Sequence, residues 1–154
     1  MAHVVTELDS TASPEAVIAA LTDFSARRLE LWPNINQKYY KFEGADQTTA
    51  DVTEGSPSPI GPVWERAHYD WSKPGIVRID VKESNTFEPG SYWQYEVTPR
   101  PGGGSHVHME FDRRPKNLKG RILSGLLNMA GKKLFTKSLG DTLRRIESAS
   151  SSSV

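Results

Sequence analysis

Two hydrophobic periods succeed one another along the chain, and their order predicts most of the architecture. Residues 3–9 alternate, Val4, Thr6 and Leu8 against His3, Val5 and Glu7, which is the period of a strand. Ser13 then offers a helix cap, and Pro14 falls at the first helical position, where no N–H is needed. Val17, Ala20, Leu21 and Phe24 follow the i, i+3, i+4, i+7 spacing of one apolar helix face. A second short helical piece over 26–31 must end near Trp32, because Pro33 disfavours helix in the residue before it.

From Gln37 to Arg114 the period is two again. Strands are predicted over 38–43, 48–54, 63–72, 76–84, 91–100 and 105–113, separated by the turn-forming stretches GSPSPIGP, KPG, NTFEPG and RPGGG. Such short connections make successive strands antiparallel neighbours. In the last three strands Val77, Ile79 and Val81 oppose Arg78, Asp80 and Lys82. Trp93, Tyr95 and Val97 oppose Gln94, Glu96 and Thr98, and Val107, Met109 and Phe111 oppose His106, His108 and Glu110. One face of this sheet is therefore wet and the other covered.

The cover is the C-terminal segment, 117–148, too rich in leucine to be a loop. On a helical projection Leu118, Ile122, Leu123, Leu126, Leu127, Met129, Ala130 and Leu134 fill one broad half-circle, while Phe135, Leu139, Leu143 and Ile146 lie roughly opposite. No straight helix buries both sets against one surface. The expectation is a break near Gly131, or an apolar half-face in the first part left for a ligand or partner. Gly120, Gly125, Gly131 and Gly140 each cost about 1 kcal/mol against alanine in a helix interior, so close packing or a need for space should offset them. After Ile146 the serine-rich end reads as disorder over 149–154. The fold class is α+β: a curved seven-stranded antiparallel sheet around a long C-terminal helix, with a short helical pair after the first strand, as a single domain over 3–148.

This order of elements resembles the START/polyketide-cyclase-like (SRPBCC) superfamily, which includes birch-pollen-type allergens, lipid-transfer domains and aromatic polyketide cyclases. SPEAVIAALTDFS is similar to its opening helix, PIGPVWERAHYDW to its Gly-led central strand, and SNTFEPGSYWQYEVTPRPGGGSHV to its paired late strands. The resemblance covers about residues 4–147. It implies the helix-grip fold and a ligand cavity between sheet and helix, and it does not choose a chemistry.

Strand 63–71 carries the main candidate group. With Val63, Ala67, Tyr69 and Trp71 inward, Glu65 shares their face, and an enclosed carboxylate could act as acid or base or anchor a polar ligand end. Alternatively Glu65 sits at a rim or pairs with an arginine. A single bulge would instead bring in Trp64, Arg66 and His68. The candidate catalytic groups are Glu65, Arg66, Tyr69 and Tyr95. The candidate ligand contacts are Glu65, Tyr69, Trp71, Trp93, Tyr95, Val107, Met109, Ile122, Leu126 and Met129, with Tyr95 offering an orienting hydrogen bond. His106 and His108 share a face with Glu110, but it is the solvated one, and no metal site is expected.

Composition narrows the chemistry further. With no cysteine, disulfides and thiolate sites are excluded. No Gly-x-Ser-x-Gly elbow, P-loop or dinucleotide fingerprint is present, so no cofactor is expected. MAHVVTELDS lacks the basic start and apolar stretch of a secretory signal, and a cytoplasmic location is expected. The net charge of zero hides a split, with 9 basic and 17 acidic side chains up to Asp112 and 10 basic and 2 acidic after it. The basic helix is either a solvated face or a surface for an anionic membrane, contacted peripherally, or for an acidic partner; nucleic acid is not expected, because the acidic remainder would oppose a phosphate backbone. The expected function is non-catalytic carriage or sensing of a small hydrophobic, lipid- or polyketide-like ligand. The alternatives are a polyketide cyclase, aromatase or dehydratase, and an interaction module working through the basic helix.

Overall fold

The computed structural model describes residues 2–32 and 35–152. Seven strands, β1 (Ala2–Ser10), β2 (Lys41–Ala45), β3 (Thr49–Ser56), β4 (Val63–Asp70), β5 (Ile76–Ser84), β6 (Tyr92–Pro99) and β7 (Ser105–Arg113), make one antiparallel sheet. Their spatial order is β1-β7-β6-β5-β4-β3-β2. β1 pairs with β7 along its whole length, from Ala2 opposite Arg113 to Ser10 opposite Ser105. Register shifts at Phe42/Gly44 and at Arg66/Ala67 add the local twist that curves the sheet. The period of two is kept: Val77, Ile79, Val81, Tyr95, Val97, Val107, Met109 and Phe111 are buried on the concave side.

Three helices close that side. α1 (Pro14–Leu21) starts as its sequence requires, with Ser13 Oγ accepting from the Ala16 N–H at 3.1 Å. The Asp23 carboxylate accepts from the Ser25 N–H at 2.9 Å and turns the chain into α2 (Arg27–Leu31). α3 (Leu118–Ser152) is a single 35-residue helix, about 50 Å long at 1.5 Å per residue. It runs beside β1: Thr136 Oγ1 meets Thr6 Oγ1 at 2.5 Å, and Ser10 donates to Glu147 at 2.9 Å. Leu139, Leu143 and Ile146 enter the same core cluster as Ile79, Tyr95, Val97, Val107 and Met109. This is the helix-grip arrangement.

One pair of alternatives is decided and two expectations change. The helix does not break at Gly131, and the conflict between its two apolar sets is resolved by leaving Leu118, Ile122, Leu126, Met129 and Leu134 exposed. Its sheet-facing side in the first half is mostly small, Gly120, Ser124 and Gly131, with Leu127 half-buried among them. A Cβ at Gly120 would collide with the Thr86 carbonyl and one at Gly131 would lie 3.1 Å from Val4, so two of the four glycines permit close approach to the sheet. Gly125 faces open space, and nothing in the structure explains it. The strand expected from Lys38 begins only at Lys41, because the Asn36 side chain accepts from the Lys38 N–H and sets a 3-10 turn over Gln37–Tyr39. The serine run does not end the helix near Ile146: each further residue adds one backbone bond to a helix already nucleated, and α3 continues through Ser152. Ser153 and Val154 lie outside the described residues.

Candidate ligand pocket

The interior of the grip is mostly filled. A pocket with a volume of about 50 Å³ lies between the sheet, α1, α2 and the middle of α3. Its apolar wall is built from Leu21, Trp32, Ile79, Trp93, Met109 and Phe135, and its polar wall from Arg28, Glu54, Tyr69, Tyr95 and Ser138.

The polar wall is organised by Arg28, whose side chain is only 3% exposed. Its position follows from helix spacing: Arg28 and Leu31 are the two buried residues of α2, one turn apart on the same side. Nη1 donates to the carbonyls of Leu21 at 3.1 Å and Asp23 at 3.3 Å, so the cation also closes the C-terminus of α1. Nε donates to Glu54 at 3.0 Å and Nη2 to the Tyr69 hydroxyl at 2.6 Å. Tyr69 donates in turn to Glu54 at 2.8 Å. Burial opposes the charge on Arg28, but the Tyr69 and Glu54 oxygens outweigh it and hold the guanidinium above its ordinary range. Burial also pushes the Tyr69 and Tyr95 hydroxyls well up, so both are neutral phenols at physiological pH.

A second buried ion pair joins Arg113, 2% exposed, to Glu65 at 3.0 Å. The guanidinium stacks at 4.1 Å from the Phe111 ring centroid and 4.5 Å from that of Trp93. Burial pushes Glu65 up and Arg113 down, and their mutual attraction opposes both shifts. Trp93, stacked on this cation, also lines the pocket, and its buried Nε1–H has no hydrogen-bond partner among the described residues.

The candidates read from the sequence are thus divided. Tyr69, Trp93, Tyr95 and Met109 do line the pocket. Glu65 is on the inward face of β4, but it is held by Arg113 and does not line the pocket. Arg66 is on the opposite face, paired with Glu83 at 3.3 Å. Trp71 lies beside Phe24, ring centroids 6.1 Å apart, and Val107 is sealed in the core. Ile122, Leu126 and Met129 are exposed on the outer side of α3, because the small residues Gly120, Ser124 and Gly131 take the inner side; the helix contributes Phe135, Ser138 and Leu139 instead.

Arg28 and Glu54 are the charged residues the sequence reading missed. Both carried a signal. Arg28 sits three residues before Leu31, on the same face of α2, and Glu54 continues the inward series Ala50, Val52. A charge at a core position of each element marks a buried pair. On the outer face His106 bonds Asp9 at 2.7 Å and Glu7 at 3.2 Å, and these bonds raise its pKa. Among the described residues no group of three or more His, Cys, Asp or Glu side chains is placed to hold a metal ion.

The family model described as polyketide cyclase / dehydrase and lipid transport matches residues 1–150. No curated protein matches the sequence. Among solved structures, a protein of Thermus thermophilus superposes with a TM-score of 0.79 at 15% identity, covering 96% of this chain and 99% of its own. The Zhui aromatase/cyclase of a Streptomyces species gives 0.78 at 11% identity, over 94% of this chain and 93% of that one. A START superfamily protein of Mycobacterium smegmatis gives 0.74 at 14% identity, over 96% and 98%. At these identities the likeness is one of fold.

Proposed function

Since the chain belongs to the polyketide cyclase / dehydrase and lipid transport family, we propose that it binds a small, neutral, hydrophobic molecule in the pocket, as a carrier or sensor that does not transform it. The observation that carries this reading is the complete pairing of Arg28. All three of its donor nitrogens are used by Glu54, Tyr69 and two carbonyls of the chain itself. The cation is compensated before any ligand arrives. Arg113 and Glu65 cancel in the same way.

A ligand carrying a carboxylate or an ammonium would therefore bring an unpaired charge into a desolvated site, at a cost of several kcal/mol. A neutral ligand escapes that cost. The Trp93 Nε1–H, buried without a partner among the described residues, is one donor open to it, and a carbonyl, ether or hydroxyl oxygen is its natural partner. The same pairing argues against acid–base catalysis. Glu54 already accepts from Arg28 and Tyr69, and Tyr69 donates to Glu54, so proton transfer to a substrate would first have to break the buried pair. The cyclase reading needs that rearrangement; the carrier reading does not.

Ligand pockets ordinarily enclose roughly 300–1,000 Å³, so binding here is coupled to an outward movement of wall side chains. The test uses chain-matched fatty alcohols, methyl esters, carboxylates and amines, followed by tryptophan fluorescence and thermal shift. The neutral members are expected to bind about 100-fold more tightly than either charged class, the equivalent of about 2.7 kcal/mol. Carboxylate binding as tight as that of the alcohol or ester overturns the neutral-ligand reading, and recovery of a chemically altered ligand overturns the non-catalytic one. Trp93→Phe keeps most of the ring while removing the unpartnered donor. It is expected to weaken ester or alcohol binding about five- to tenfold with little loss of stability, whereas unchanged affinity would take Trp93 out of ligand recognition.

A further inference from the structure

The first half of α3 turns one line of large apolar side chains away from the protein, while Leu123 and Leu127 are half-buried. Leu118, Ile122, Leu126 and Met129, spaced four, four and three residues apart, form one line along the helix and are 72%, 44%, 47% and 86% exposed. Leu134, on a neighbouring side of the helix, is 58% exposed. A surface helix normally presents the reverse arrangement, with its large apolar face inward. The inner line here is Gly120, Ser124, the half-buried Leu127 and Gly131, three small residues and one large.

Charge on the same stretch is of one sign. The 22 residues from Leu118 to Leu139 contain Lys119, Arg121, Lys132, Lys133 and Lys137 and no carboxylate. The apolar line also has a neighbour off the helix. Lys119 Nζ donates to the Pro62 carbonyl, which draws the β3–β4 loop against the start of α3, and Ile60 on that loop is 40% exposed. An apolar loop tip and an apolar helix line thus share one basic surface. The rest of the chain is acidic, with 17 acidic against 9 basic side chains up to Asp112.

We propose that this face is a docking surface for an anionic membrane, with α3 lying in the interface plane. The inference is independent of what the pocket binds. Charge complementarity selects the occupant. A second copy docked through the same face would set two all-cationic stretches against each other with no carboxylate in either to pair them. An anionic lipid surface offers hydrocarbon to Leu118, Ile122, Leu126, Met129 and Ile60 and phosphate to the five cations, whose alkyl stems can lie along the apolar line while the charged heads remain at headgroup level. The acidic remainder orients the molecule, because it is repelled by the surface that attracts α3.

Each lysine or arginine near an anionic bilayer strengthens binding roughly fivefold, and the attraction is screened over a Debye length of about 10 Å at about 0.1 M salt. Co-sedimentation of the whole chain with phosphatidylcholine vesicles, with and without about one-third phosphatidylglycerol, reads both terms. Binding is expected to the anionic vesicles alone and to be lost by about 0.5 M salt. The pair Lys132→Glu and Lys133→Glu should weaken it at least about 25-fold, since two attractive charges are lost. Met129→Asp, at the most exposed position of the line, should weaken it without altering the circular dichroism spectrum or pocket binding. Three results overturn the proposal: no binding to anionic vesicles, equal binding to both compositions, or a concentration-dependent dimer that Met129→Asp dissociates.

Discussion

Replacing Arg28 with methionine is expected to destabilise the protein by about 3–5 kcal/mol, the range for breaking a buried ion pair from one side. The substitution keeps an unbranched stem of similar reach and removes only the guanidinium. Four groups then lose a donor: the Glu54 carboxylate, the Tyr69 hydroxyl and the carbonyls of Leu21 and Asp23. The carbonyls stand at the end of α1, where the helix dipole favours a cation, so the helix that roofs the pocket is weakened as well. Glu54 retains the Tyr69 hydroxyl as a donor but has no counter-ion left beside it. Adding Glu54→Gln to Arg28→Met removes the stranded charge and should recover most of the loss. Urea unfolding at constant m-value measures both variants. A loss below about 1 kcal/mol for Arg28→Met would mean that the pair is solvated in solution, and the neutral-ligand reading would lose its basis.

The strands and helices can be read from the sequence because their signals are local. The alternation of β5, β6 and β7 and the Ser13-Pro14 start of α1 reappear residue for residue. The pocket is legible where it follows from those periods: Tyr69, Trp93, Tyr95 and Met109 are inward positions of strands whose alternation is clear. It is illegible where a polar residue occupies an apolar slot. Arg28 and Glu54 escape a pattern reading because charge ordinarily marks surface, although each sits in phase with buried neighbours. Only their meeting in space, 26 residues apart in sequence, makes both burials affordable. The error on α3 has the opposite cause. Large apolar side chains ordinarily mark the buried face, whereas here Gly120, Ser124 and Gly131 repeat along the helix on the face that can approach a sheet closely. The cost of the four glycines is plain from the sequence, but their phase relative to the leucines is the informative quantity.

Trp32→Ala is expected to cost about 3–5 kcal/mol in the ligand-free protein and, in the same variant, to tighten ligand binding. Trp32 is buried, lines the pocket, and lies with its ring centroid 6.3 Å from that of Tyr95. It caps the C-terminus of α2, its backbone N–H donating to the Arg28 carbonyl at 2.9 Å, and its indole N–H reaches the Ala20 carbonyl at 3.4 Å. Truncation removes the transfer free energy of the indole and leaves a cavity continuous with the existing 50 Å³. The loss of stability alone would describe any core tryptophan. The affinity is what separates the two roles. If the wild-type pocket must expand before a ligand enters, only a fraction of molecules is competent at any moment, and the apparent dissociation constant is raised by the inverse of that fraction. Trp32→Ala makes the expanded volume permanent, so a fatty alcohol or methyl ester should bind about tenfold more tightly and raise the melting temperature of the variant more than that of the wild type. Titration by isothermal calorimetry, with the melting temperature followed at saturating ligand, measures both. A parallel fall in stability and affinity would instead make the indole a direct ligand contact, and the opening would then have to be sought at Phe135, the aromatic that α3 places in the pocket wall.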